Sequence, residues 1–362
     1  MYPDISGSRQ ALARFSSSRP AFACVISHTA TSEIPGLTVA GANPELVKLT
    51  SPADAEFLHY GSCRCIPGVP ATPDGKPTPA VITRAALALA EIPLLVVEAG
   101  TKVKPAIPAV SFGLIPGGNI STEDAMSAGD VHRAIDYGQV LGLQLAKASD
   151  LVVIGESIPG GTTTALAVLT AIGIDARGKV SSSMPDNPHA LKNKVVAQAI
   201  SRSKPKKGIG ALAAVALVGD PMMPSVAGIA AGAVMAGAKV MLAGGTQMAP
   251  VLAVLKSLEV PLKNVCVGTT KYVAGDQSAD LAGLVRAVAP GVPILSCDLH
   301  FEESKKPGLR AFAQGFVKEG VGAGGSSIAA MIKSRGRITG KKLLSAIEKE
   351  YASSIERAPS RT

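Results

Sequence analysis

Asp150-Leu151-Val152-Val153-Ile154-Gly155-Glu156-Ser157-Ile158-Pro159-Gly160-Gly161-Thr162-Thr163-Thr164 reads as a buried strand, a glycine-rich turn and the first turn of a helix. The strand half is a continuous apolar run, which marks a strand covered on both faces, as in a parallel sheet. Thr162 to Ile172 continues as the helix. A strand that passes through glycines into a helix is the repeating unit of α/β folds.

The same alternation extends in both directions. Towards the N-terminus, strands are predicted at Ala21–Ile26 and Pro93–Glu98, with helices opening at Ser51-Pro52 and running over Thr83–Glu91 and Thr122–Lys147. Ser51 is the expected cap, with Pro52 at the first helical position. Gly61 to Thr78 is a glycine- and proline-rich loop expected at the surface. Towards the C-terminus, helices are predicted at His189–Ser201, Ser225–Ala236 and Pro250–Leu258. Strands are predicted at Ala213–Val218, Lys239–Ala243, Asn264–Gly268 and Pro293–Ser296. The sum is a doubly wound α/β, mostly parallel Rossmann-like sheet with right-handed crossovers. Ser326 to Tyr351 is helical, with an apolar stripe through Ile328, Met331, Ile332, Leu343, Leu344 and Ile347. The expected division is therefore a disordered tail over 1–20, an α/β domain over 21–325 and a small helical module over 326–362.

Composition narrows the function classes. The 362 residues carry a net charge of +9 and no tryptophan. With few aromatics there is no stacking platform for bases, so the basic clusters, such as Arg202–Lys207 and Lys333–Lys342, read as solvated loops and helix ends rather than a nucleic-acid surface. The five cysteines have no zinc spacing, and their odd number fits reduced thiols in the cytoplasm. The longest greasy stretch, Ser225–Ala238, is shorter than the about 20 residues needed to span a bilayer and reads as a core helix, not a membrane segment. Asp298 and His300 could share a face, but no partner set completes a metal site, and none is expected.

Three glycine-rich segments carry the candidate chemistry. In the opening segment, Gly160 and Gly161 would let a ligand approach the backbone, and the N-terminus of the following helix suits phosphate. Thr162, Thr163 and Thr164 would add hydroxyl donors. An ordinary strand-to-helix turn fits the same residues. Glu156 stands out as a carboxylate at the exit of a buried strand, where active-site groups of such sheets lie. The second segment, Gly315 to Ser327, surrounds Glu319 with glycines; either a ligand or another backbone comes close, or it is a hinge. The third comprises Val218-Gly219-Asp220 and Ala243-Gly244-Gly245-Thr246-Gln247, both read as strand exits. There is no Walker loop, no G-x-G-x-x-G after the first strand with an acid about 20 residues on, and no nucleophile elbow.

Taken together, Gly155-Glu156-Ser157-Ile158-Pro159-Gly160-Gly161-Thr162-Thr163-Thr164 and Lys318-Glu319-Gly320-Val321-Gly322-Ala323 resemble the G-E-M-G-I-G-N-T-T-T and G-E-G-x-G-A patterns of the nicotinate-nucleotide–dimethylbenzimidazole phosphoribosyltransferase family. The resemblance spans Phe22 to Met331 and is to the divergent archaeal and cyanobacterial-type branch. It implies a homodimeric enzyme without metal or cofactor that moves the phosphoribosyl group of nicotinate mononucleotide to an azole or purine base. Glu319 would be the general base, with Glu156 beside it. Gly160 to Thr164, Gly320 and Gly322 would hold the phosphate and nucleotide. Thr83 and Ala85 would belong to the base pocket. The family glutamine is replaced by Ala85, and its D-G-F by Ala243-Gly244-Gly245, so dimethylbenzimidazole and adenine both stand as acceptors. A nucleotide-dependent oxidoreductase and a non-catalytic nucleotide sensor are the rival readings.

Overall fold

In a computed structural model, residues 2–17, 19–41, 44–72, 75–206 and 208–356 are described; Lys207 of the basic cluster and the last six residues of the expected helical module lie outside them. The strands are β1 Ile5–Ser6, β2 Pro20–Ile26, β3 Leu94–Glu98, β4 Val110–Ser111, β5 Leu151–Ser157, β6 Lys239–Ala243, β7 Val265–Thr270 and β8 Ile294–Cys297. They form one sheet in the order β1-β8-β7-β6-β5-β2-β3-β4. Every pairing is parallel except that of β1 with β8. This is the α/β architecture expected from the sequence.

The order reverses between β2 and β5. From β2 the chain builds outward through β3 and β4, then returns to β5 on the other side and builds through β6, β7 and β8. Loops leaving β2 and β5 therefore diverge and open a crevice above their carboxyl ends.

The six inner strands feed two cores by alternation. Val152 and Ile154 of β5 pack under the helices Ala128–Ala148, Gly161–Ala171 and Met222–Met235. Leu151 and Val153 face the helices Ala80–Ala90, Ala323–Lys333 and Gly340–Tyr351. Burial on both faces is why these strands are continuous apolar runs. The expected boundary at residue 326 falls inside the helix Ala323–Lys333, which lies directly on the sheet as part of the second layer.

Three expectations are corrected. Ala211–Val218 is a helix, not a strand. Its run of alanines and valines has no period that separates the two, and alanine favours helix. The described residues of the expected tail, 2–17, 19 and 20, are ordered: β1 pairs with β8, Ser8 caps the helix Arg9–Phe15, and Phe15 is fully buried. Ser51 is likewise not the cap of its helix, which begins at Thr50; its hydroxyl donates to the Ser27 carbonyl instead (2.8 Å).

Gly322, Gly324 and Gly325 are explained by close packing on the sheet. A Cβ on Gly324 would lie 2.1 Å from the carbonyl carbon of Thr269, and one on Gly325 would lie 2.3 Å from the Cβ of Ala243. The helix Ala323–Lys333 thus sits on β6 and β7 at a distance no side chain permits. Gly322 does the same against Gly155 and Phe22.

Candidate active site

A cleft of about 980 Å³, its open mouth included, lies at the reversal point. Glu156, Ser157 and Ile158 to Thr162 reach it from the exit of β5, and Lys318 to Val321 from the segment before the helix Ala323–Lys333. The two glutamates singled out from sequence, 163 residues apart in the chain, meet here.

Glu319 lines the cleft with its carboxyl drawn into the wall. One oxygen accepts from the Thr269 hydroxyl (3.2 Å) and the Thr270 amide (3.1 Å) at the end of β7. The other accepts from the amides of Gly324 (3.1 Å) and Gly320 (3.4 Å). Burial pushes its pKa up to about 7, outweighing those four hydrogen bonds, which favour the charged form. Such a carboxyl can take and release a proton near neutral pH.

Glu156 is buried. It accepts from its own loop at the Ile158 amide (3.1 Å) and from the Gln247 side chain (3.3 Å), while its backbone carbonyl receives the Val321 amide (2.8 Å). Burial first, then the charges of Asp220, Glu319 and Asp54, raise its pKa well above the carboxylate range. Asp220 and Asp54 are themselves pushed up to about 6 by burial. Like charges this close do not all ionise together, so the cluster holds protons at neutral pH.

The turn after β5 places its residues in two directions. Gly160, Gly161 and Thr162 line the cleft. Gly160 has φ of +75°, and a Cβ there would strike Ser32, so this position requires glycine. Thr163 and Thr164 do not reach the cleft lining: Thr164 donates to the Gly161 carbonyl (3.0 Å) and to Asp220 (2.5 Å). Asp220, read from sequence as a strand-exit residue, instead follows a helix and accepts from the amides of Met222 and Met223. Gly320 lines the cleft, whereas Gly322 is a packing contact.

The expected base-pocket pair lies outside the cleft lining. Thr83 is buried and donates to the Val321 carbonyl (2.9 Å), which fixes the Glu319 segment from behind; Ala85 is a core residue. Neither lines the cleft.

Sequence reading missed Asp54, which lines the cleft from the helix Thr50–Tyr60, and Ser181–Ser183, which form another part of its wall. The fully buried Lys192 supports that wall, donating to the carbonyl of Ser181 (2.6 Å) and to Asn187 (3.1 Å). Burial, with the nearby charge of Lys318, lowers its pKa to about 7. Buried Lys318 pairs with Asp276 (2.7 Å). The run of three serines was a visible signal; Asp54 had none beyond being an acid in an apolar helix.

A protein-family model described as a phosphoribosyltransferase matches residues 80–283. The chain belongs to this family. Curated relatives include archaeal UPF0284 proteins: one of Archaeoglobus fulgidus is 49% identical over 92% of this chain and 93% of its own length. One of Sulfurisphaera tokodaii is 47% identical, over 92% and 93%. Among solved structures, a nicotinate-nucleotide–dimethylbenzimidazole phosphoribosyltransferase of Thermus thermophilus superposes with a TM-score of 0.59 at 17% identity, over 95% of this chain and 87% of that one. A second structure, of CobT from the same organism, gives a TM-score of 0.60 at 17% identity, over 96% and 90%. The fold is shared with both, and the archaeal relatives fit the divergent branch that the motifs resemble.

Proposed function

We propose that this phosphoribosyltransferase moves the phosphoribosyl group of nicotinate mononucleotide to a purine or benzimidazole base, giving an α-ribotide for a cobamide lower ligand. The observation that carries the reading is Glu319: a carboxyl with a pKa near 7, on the wall of a cleft that also presents Glu156 and a helix N-terminus. The name of the Thermus protein of like fold supports the choice of substrates.

The chemistry follows from these groups. The ring N–H of the incoming base gives its proton to Glu319. The other ring nitrogen attacks C1′ of the ribose, and the bond from C1′ to the nicotinate nitrogen breaks. The bonding pair returns to that nitrogen, discharging the pyridinium. Attack opposite the leaving group inverts the anomeric carbon. A carboxylate near C1′ favours the oxocarbenium-like charge that develops there. Gly160, Gly161 and Thr162 are assigned to the 5′-phosphate at the start of the helix Gly161–Ala171. Thr163 and Thr164 act behind them, Thr164 through Asp220.

A homodimer fits the exposed apolar residues Tyr137, Val140 and Leu143 along the helix Ala128–Ala148. Among the described residues no helix is long and apolar enough to cross a membrane; a cytoplasmic setting agrees with the five free cysteines.

The test incubates the protein with nicotinate mononucleotide, with and without each candidate base, and follows nicotinate by chromatography. Base-dependent release is expected. Nucleotide binding without release under any base would favour the sensor instead.

A further inference from the structure

Among the described residues, Asp54 is the one acid of the cleft wall that the transfer chemistry leaves without a task. It is 3% exposed, yet both its oxygens are held rather than shielded: Thr78 donates to one (2.7 Å) and Ser157 to the other (2.7 Å). A carboxylate has about four acceptor positions, so two remain. One helical turn earlier on the same face, Thr50 also lines the cleft, and its buried hydroxyl has no hydrogen-bond partner among the described residues. An orphaned hydroxyl beside a half-used carboxylate is costly unless a ligand completes both.

The surroundings suit a flat ring. Pro70, Pro77 and Pro79 line this end of the cleft, clustered about Thr78, whose amide donates to the Pro70 carbonyl (3.0 Å). A Cβ on Gly320 would lie 3.4 Å from Pro79, so this end adjoins the Glu319 segment. The hydrogen bond from Ser157 ties it to the exit of β5, next to Glu156. An acceptor bound here would have its reacting edge towards the two glutamates and its far edge towards Asp54 and Thr50.

Resting on the transferase reading above, we infer that Asp54 and Thr50 select the acceptor base, and that the preferred base presents an amidine edge of the 6-aminopurine type. Its exocyclic N–H donates to Asp54, and its adjacent ring nitrogen accepts from the Thr50 hydroxyl. A dimethylated benzimidazole would set methyl groups against the carboxylate and leave the Thr50 hydroxyl unpaired.

The test measures kcat/KM for adenine, purine (the same rings without the amine) and dimethylbenzimidazole, with nicotinate mononucleotide as donor. Wild type is compared with Asp54→Ala, Asp54→Asn and Thr50→Ala. The hydrogen bond to a charged acceptor is expected to favour adenine over purine by about 10- to 150-fold in the wild type. That ratio should collapse in Asp54→Ala and shrink in Asp54→Asn, the variant more certain to fold. Thr50→Ala should instead lower adenine and purine together relative to dimethylbenzimidazole. Equal use of adenine and purine by the wild type, or a ratio unmoved in both Asp54 variants, overturns the inference. If no base releases nicotinate, the transferase reading falls, and calorimetry with adenine decides the base site alone. Adenine binding that weakens in Asp54→Asn upholds it, and no adenine binding by the wild type overturns it.

Discussion

Gly324→Ala tests how the fold builds the site. The new Cβ would fall 2.1 Å from the carbonyl carbon of Thr269, 2.4 Å from its Cα and 2.4 Å from the Thr270 nitrogen. All three are backbone atoms of a central strand and cannot rotate away. Carbon contacts settle at about 3.5–4.0 Å, so helix and strand must separate by about 1 Å or more. Overpacking of this kind costs about 1–3 kcal/mol, and the absence of any flexible neighbour places Gly324→Ala at about 3 kcal/mol. The same displacement moves the Thr269 hydroxyl and the Thr270 and Gly324 amides, which together hold the Glu319 carboxyl. A misplacement of about 1 Å can cost about 10²-fold in rate. Urea denaturation and nicotinate release would be measured side by side, with Gly210→Ala as the control. Gly210 has φ of −71° and open space around it, so its change should stay within about 1 kcal/mol with full activity. Gly324→Ala with wild-type stability and rate would refute the reasoning.

Three further outcomes follow from the site. Asp54 carries a folded-state pKa of about 6 against an ordinary 3.8, so its protonated form stabilises the fold below pH 4 and that contribution is lost as pH rises through 6. Between pH 4.5 and 8, the stability of Asp54→Asn relative to wild type should therefore improve by about 2 kcal/mol, read from denaturation midpoints; a constant difference would contradict the buried acid. Thr83→Val removes the hydroxyl that holds the Val321 carbonyl and should destabilise by about 1–3 kcal/mol while leaving the adenine-to-dimethylbenzimidazole ratio of kcat/KM in place; an altered ratio would restore Thr83 to the base pocket. Lys192→Met releases the Ser181–Ser183 wall and should raise KM for nicotinate mononucleotide more than it lowers kcat, whereas an unchanged KM would remove that wall from the nucleotide site.

What was legible in the sequence is what short-range pattern encodes. β5 and its turn were readable because a strand buried on both faces is apolar throughout, and because Gly160 must take a left-handed conformation. Glu156 and Glu319 stood out as acids among glycines and apolar residues. The helix Ala211–Val218 was misread because small apolar residues carry no period. β1 was invisible because two residues gain strand character only from the edge of β8, some 290 residues later in the chain. Asp54 was missed for a similar reason. Its partners Thr78 and Ser157 lie 24 and 103 residues away, and only the fold converts an acid on an apolar helix into a wall of the cleft. Thr83 shows the converse, an expected base-pocket position whose hydroxyl holds the backbone of the Glu319 segment.

The central claim is that Glu319 takes the proton of the incoming base. Single-turnover nicotinate release in Glu319→Gln, with nicotinate mononucleotide affinity measured in parallel, tests it most directly. Affinity should hold, while base-dependent release should fall by about 10²–10⁴-fold and lose the rise through about pH 7 expected of the wild type. Release by Glu319→Gln at the wild-type rate, with the same dependence on pH, would contradict it.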